Sequence, residues 1–189
     1  MEAQQVGIDH RLLTPTMSIH IIIDGYNLIR QSKHFSALDL QDIQMGREAL
    51  LDMLAAYKKI KAHRITVVFD GTRSPMLTLQ RDRQKGITVV FSHSGESADT
   101  VIKRMARQEG EKALVVSSDR DIVRAVEAEG SATISAPEFE NKLTLSHYAG
   151  GTEIDRDAYQ GWKPTTKKKG PSRRLSKKQR KTRTKIRKL

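Results

Sequence analysis

Six carboxylates are placed in the chain where they could gather at one rim and hold one or two ions. Asp24 ends the apolar run Ile19–Ile23, Asp70 follows Ile65–Phe69, and Asp119 and Asp121 come just after Ala113–Ser117. Glu96 and Asp99 fall in Ser92-His93-Ser94-Gly95-Glu96-Ser97-Ala98-Asp99, downstream of the run Ile87–Phe91. Carboxylates crowded within a few ångströms raise one another's pKa unless a cation lies among them. Oxygen donors with no cysteine and no evident histidine partner select a hard ion, Mg2+ or Mn2+. Such an ion lowers the pKa of a bound water and stabilises the charge of an in-line phosphoryl displacement. The reaction class this points to is phosphodiester hydrolysis.

Taken one at a time, these acids have a simpler explanation. Asp is a favoured N-cap. Ser118 with Asp121 is close to a capping box, and Ser97 can cap the helix that holds Asp99. It is the joint placement at successive strand ends that favours a site. Asn27, in Asp24-Gly25-Tyr26-Asn27, reads equally as an amide partner for a carboxylate or bound water and as a turn residue. His93 lies near the same rim, although a lone loop histidine is usually solvated. Phe69-Asp70-Gly71-Thr72 is similar to the aspartyl-nucleophile phosphatases of the haloacid dehalogenase type, but Thr72 stands where those need a second acid.

The elements that must position these residues follow from hydrophobic pattern. Ile19–Ile23, Ile65–Phe69, Ile87–Phe91 and Ala113–Ser117 are almost continuously apolar, as strands buried on both faces must be; Ala132–Ser135 is a weaker fifth. Between them lie stripes of helical period. One is Ile43, Leu50, Met53, Leu54, Tyr57 and Ile60, with Arg47, Glu48, Asp52 and Lys58 off it. Others are Ala98, Val101, Ile102 and Met105, then Ile122, Val123 and Val126. Strands alternating with helices predict a layered α/β fold around a parallel sheet, in which ligands bind beyond the carboxyl ends of the strands. Gly71 to Gly86 reads as a loop with at most one helical turn. Its Arg73, Arg81, Arg83 and Lys85 can hold a nucleic-acid backbone beside the acidic rim, or simply be solvated.

The net charge of +12 over 189 residues is divided very unevenly. From Lys163 to Leu189 there are 14 basic residues and no acids, a charge of +14, leaving −2 on the first 162 residues. Three parts are therefore expected: an extension over 1–17, a domain over 18–150, and a linker with a basic tail over 151–189. A start of translation at Met17 is one reading of the extension. With almost nothing to bury, the tail is expected to be disordered when free. Its Lys167, Lys168, Lys169, Arg173, Arg174, Lys177 and Lys178 are expected to meet RNA phosphates. About six such contacts on single-stranded RNA would give a log–log salt slope of roughly −4. Without cysteine, thiol catalysis and Cys-ligated metal are excluded. No apolar run reaches a membrane-spanning length, and residues 1–17 do not read as a signal peptide, so a cytoplasmic protein is expected.

Four segments in order resemble one family. Ile21-Ile22-Ile23-Asp24-Gly25-Tyr26-Asn27-Leu28-Ile29 looks like the opening of an NYN domain of the YacP-like group, the PIN-like bacterial ribonucleases. Val67-Val68-Phe69-Asp70-Gly71, Glu96-Ser97-Ala98-Asp99-Thr100-Val101-Ile102 and Val115-Val116-Ser117-Ser118-Asp119-Arg120-Asp121 continue the likeness, which covers about residues 19–145. It implies a PIN-like three-layer α/β/α sandwich around a parallel sheet of about five strands. It also implies metal-dependent endonucleolytic cleavage of RNA, with Asp24, Asp99 and Asp119 as core metal-binding acids. Asp70, Asp121 and Glu96 would assist them, and Asn27 would orient the site. Some members of the group act on mRNA at the ribosome, which makes the ribosome a candidate partner. The alternative is a non-catalytic RNA- or ribosome-binding protein on the same fold.

Overall fold

A strand covered by helices on both sides can keep only apolar side chains on either face, and this is where the continuous runs fall. The computed structural model describes residues 18–71, 81–93, 95–149 and 176–189. Its strands are β1 (His20–Asp24), β2 (Arg64–Phe69), β3 (Arg81–Gln84), β4 (Ile87–Phe91), β5 (Ala113–Val116) and β6 (Ala132–Ile134). They form one sheet in the order β3-β4-β2-β1-β5-β6, parallel throughout except for the β3–β4 pair. The helices are α1 (Gly25–Gln31), α2 (Lys33–Gln41), α3 (Ile43–Ile60), α4 (Ala98–Glu109), α5 (Arg120–Ala128), α6 (Ala136–Ala149) and α7 (Lys177–Lys188).

Alternation along each strand divides the core in two. Ile21, Ile23, Val67 and Leu114 face one way and pack with Leu50 and Leu54 of α3 and Phe139 and Leu143 of α6. Ile22, Val68 and Val115 face the other way and pack with Val101 and Ile102 of α4 and Ile122 and Val126 of α5. This is the expected three-layer sandwich. Each fully buried Ile, Leu or Val side chain contributes about 1.5–3 kcal/mol, so both helical layers contribute to holding the sheet.

Three details depart from the sequence reading. The first is a sixth strand. Gly71–Gly86 was expected to be a loop, yet Arg81–Gln84 pairs antiparallel with β4. Lys85 and Gly86 close that hairpin with φ of 51° and 79°, the pair of positive values that a two-residue turn following the strand twist requires. An edge strand made of Arg, Asp, Arg and Gln carries no apolar signal. The second is in α3, where Arg47 is 5% exposed and Ile60 is 48% exposed. Arg47 donates from Nε to the Tyr26 hydroxyl at 3.0 Å. Its guanidinium lies 5.2–5.5 Å from the ring centres of Tyr26, Phe69 and Phe91. A cation can be buried there because three π faces and a phenol replace its water.

The third departure is in the tail, which was expected to be disordered. Residues 177–188 are helical, started by a capping box in which Ser176 and Gln179 satisfy each other's backbone N–H. Ile186 packs against the core and Leu189 is buried, an apolar pair three residues apart in a cationic sequence. The Tyr57 hydroxyl donates to the Leu189 carbonyl at 3.0 Å, and burial pushes the Tyr57 pKa up to about 12. Lys181 pairs with Glu111 at 2.6 Å, and Lys185 donates to the carbonyls of Glu111 and Ala113. Glu111 and Ala113 sit where β5 begins, so α7 docks at the amino ends of the strands. Tyr57→Phe is expected to lower stability by about 1 kcal/mol. Urea unfolding of the full chain checks this, and the same substitution in a chain ending at residue 175 should cost nothing.

Candidate active site

β1 turns into α1 at Asp24, whose carboxylate does two things at once. Its Oδ1 accepts from the Asn27 backbone N–H at 3.1 Å, capping α1. Its Oδ2 accepts from the Ser117 hydroxyl at 3.2 Å. Register explains the second contact: Ile23 pairs with Val116, so the residues that follow, Asp24 and Ser117, emerge side by side. Asp24 is only 9% exposed. Burial, the largest influence, pushes its pKa up to about 6; the Asn27 and Ser117 hydrogen bonds pull it down, and the charges of Asp99 and Asp119 push it up again.

Ser117 also accepts from the Asp119 backbone N–H at 3.1 Å. Asp119 caps α5 in turn, accepting from Asp121 N–H at 2.7 Å and Ile122 N–H at 3.4 Å. Asn27 Oδ1 accepts from the Ser118 N–H at 3.0 Å. The β1–α1 and β5–α5 junctions are therefore tied together by both Asn27 and Ser117. Asp99 lies in the first turn of α4, which Ser97 caps by accepting from the Thr100 N–H. Its pKa is raised by burial first and by Asp119 next, with Lys103 opposing. For Asp24 and Asp119 the capping explanation is thus correct, and the two carboxylates still influence each other across the rim. A carboxylate has about four lone-pair sites, so capping does not exhaust it.

The remaining acids are arranged around this trio. Asp70 follows β2, the strand on the other side of β1, and is half-buried. Next to it, Gly71 N–H donates to Ser92 Oγ at 3.0 Å. A Cβ at position 71 would come within 2.0 Å of the Ser92 carbonyl oxygen, so only glycine lets the ends of β2 and β4 close up. Asp121 is ion-paired with Lys103, and Glu96 with Arg104. Lys103 gains a raised pKa first from its hydrogen bond to Asp121. His93 is exposed in the loop after β4. Arg81 and Arg83 lie on β3, while Lys85, at the hairpin tip, pairs with Asp52 of α3. Lys177 and Lys178 open α7. Arg73, Lys167, Lys168, Lys169, Arg173 and Arg174 lie outside the described residues.

Among the described residues no three Asp, Glu or His side chains converge closely enough to cage an ion unaided. Mg2+ does not need a cage, because it keeps several waters and takes one or two carboxylates directly. The donor set at the rim is all oxygen, and the buried Asp24, the half-buried Asp99 and the exposed Asp119, whose charges bear on one another, are the residues that would hold such an ion. Two contributors escaped the sequence reading. Ser117, the first polar residue after an apolar strand, positions both Asp24 and Asp119. Lys103, four residues after Asp99 and so on the same face of α4, brings a cation into the acidic group.

The three-layer sandwich around a mostly parallel sheet is the PIN-like architecture that the sequence led one to expect. The chain belongs to the YacP-like NYN domain family, whose match runs over residues 21–188. It is 26% identical over 87 residues to the YacP protein of Bacillus subtilis (strain 168), which is 46% of this chain and 51% of that one. The chain thus aligns with about half the length of that relative. Its fold is similar to a crystal structure of Rae1 (YacP) from Bacillus subtilis with a TM-score of 0.59 at 24% identity, covering 71% of this chain and 78% of that one. A point mutant of the same protein gives 0.58, also at 24% identity, covering 69% and 77%. NYN domains are generally nucleases.

The Asp24 environment sets a pH dependence. An unperturbed Asp titrates near 3.8 and this one near 6. Between those values the native state holds a proton that the unfolded chain has already released, so stability falls as pH rises from about 4 to 6, by up to about 3 kcal/mol. Asp24→Asn removes that slope and should be more stable than the parent protein at pH 7. Urea unfolding at pH 4 and 7 measures it. Added Mn2+ should raise the parent midpoint at pH 7 and leave the variant where it was.

Proposed function

We propose that this protein is a metal-dependent endoribonuclease that hydrolyses RNA phosphodiester bonds with Mg2+ or Mn2+. The observation that carries the reading is the mutual influence of Asp24, Asp99 and Asp119 at one rim, with the Asp24 proton held to about pH 6. Asp24, Asp99 and Asp119 hold the ion, and Asp70, Asp121 and Glu96 assist. Once bound, the ion would supply a water of lowered pKa and offset the negative charge that develops on the phosphoryl oxygens. Asn27 and Ser117 fix the spacing of the two junctions, so that the carboxylates need not reorganise when substrate arrives. Lys103, held by Asp121, brings positive charge to a rim that must accept a phosphate. The family resemblance extends the substrate to mRNA, with the ribosome as the candidate place of action.

A non-catalytic RNA-binding role is favoured by one observation: Glu96 and Asp121 already have Arg104 and Lys103 as counter-ions. A single assay decides between them. Purified protein with a mixed-sequence RNA and Mn2+ should cut it internally, EDTA should stop the cutting, and Asp24→Asn should lower the rate at least about 100-fold. RNA that stays intact with either metal, while still bound, selects the binding role.

A further inference from the structure

A further cationic surface lies at the β3 edge of the sheet. A cleft of about 500 Å³ opens at the β3 edge, lined by Lys58, Arg64, Arg81, Arg83 and Thr88, with Asp82 as its one acid. α4 packs chiefly on β1, β2 and β5, which leaves Thr88 and Val90 of β4 partly exposed beyond it. Lys58 donates to the Gly86 carbonyl at 2.6 Å and Arg64 to Glu109 at 3.0 Å. The guanidinium groups of Arg81 and Arg83 make no hydrogen bond or ion pair among the described residues. Four cations, one of them (Arg64) shared with Glu109, face a single lining acid in a concave wall, which concentrates positive potential and selects an anion. Among the described residues no aromatic ring lines the cleft, so none of them offers a face on which a base could stack. The chemistry is that of phosphate groups.

Register ties this cleft to the rim. Asp24 pairs with Val68, Val68 with Val90, and Val90 with Arg81, so Asp24 and Arg81 stand in one cross-strand row and on the same face. Three strand spacings separate them, about 14 Å. Arg83 lies two residues further along β3, opposite Thr88, and Arg64 lies lower again, opposite His20. The cations therefore descend from the level of Asp24 toward the amino ends of the strands. There His63, the residue before Arg64, approaches the Lys188 carbonyl of α7 at 3.4 Å.

We propose that this cleft binds the sugar–phosphate backbone of the same RNA strand that is cut at the rim, a few nucleotides from the cut. The inference rests on the nuclease reading for cleavage of the strand, while the binding of its backbone stands separately. Contacts of this kind fix the position of the strand and carry no sequence information. They also require that RNA extend past the cut on the β3 side.

The test uses the full chain carrying Asp24→Asn, a labelled 20-nucleotide RNA and EDTA, with affinity read by fluorescence anisotropy across a salt series. Adding Arg81→Ala and Arg83→Ala should weaken binding about tenfold and flatten the log–log salt slope by about 1.4, for two phosphate contacts on single-stranded RNA. Arg81→Lys with Arg83→Lys should restore most of the slope, and Lys33→Ala on α2, the charge-loss control, should change it little. In the parent background the double alanine variant should raise KM and leave kcat unchanged. Unaltered affinity and slope in the double alanine variant would overturn the proposal. So would a loss confined to inorganic phosphate or mononucleotide binding, with RNA binding intact. Weakened RNA binding in a protein that never cleaves would leave the cleft standing and remove the nuclease reading instead.

Discussion

A carboxylate that is nine-tenths buried at the end of a strand is the constraint around which this molecule is arranged. Asp24 needs the Asn27 N–H and the Ser117 hydroxyl to compensate for lost water, and each partner is available only if the chain is built a certain way. The Asn27 N–H requires that α1 start immediately after β1. The Ser117 hydroxyl requires that β5 be the neighbour of β1 and in register with it. Gly25 is needed as well, because a Cβ there would meet the Phe69 ring at 2.3 Å. Phe69 in turn lies in the aromatic group that surrounds Arg47. Strand order, register, helix start and the aromatic layer beneath the rim all meet at one side chain.

Where function was legible in the sequence, burial had written it. Strands covered on both faces become unbroken apolar runs, and the acid that ends such a run is conspicuous, as Asp24 and Asp70 are. The acids after β5 and at the start of α4 could be read from the same logic. What could not be read was anything that depends on which strands are neighbours. Ser117 acquires its role only because β5 lies beside β1, and its own sequence neighbourhood contains no mark of that. Arg47 looked like a solvated position because the helical period predicts a face and not the three rings waiting on it. β3 and α7 were invisible for a different reason. Both are polar elements held by pairing or docking, and hydrophobic pattern is silent about strands that bury nothing and helices that bury two residues.

The charge of the chain has a similar lesson. A total of +12 suggests a protein that coats nucleic acid, yet the rim is made of acids and the excess lies in the tail. The described part of that tail is docked, with Lys181 and Lys185 turned onto Glu111 and the start of β5. These two lysines hold α7 to the body, leaving others in the helix exposed. The rim acids and the α7 cations thus lie at opposite ends of the sheet, with Lys103 and Arg104 paired among the former and Glu111 among the latter, and the arginines of β3 climb from one end toward the other.

Acids at one end of the sheet and the α7 cations at the other would give the described part of the molecule a dipole, and a dipole approaching a polyanion experiences a torque before it experiences contact. On the proposed reading, the α7 end would be turned toward the phosphates and the carboxylate end away. First contact and productive contact would then be different orientations of the same body. Arrival would be salt-sensitive, commitment would wait for the acidic end to swing round or for the strand to reach it, and the two stages would respond differently to the same ionic strength.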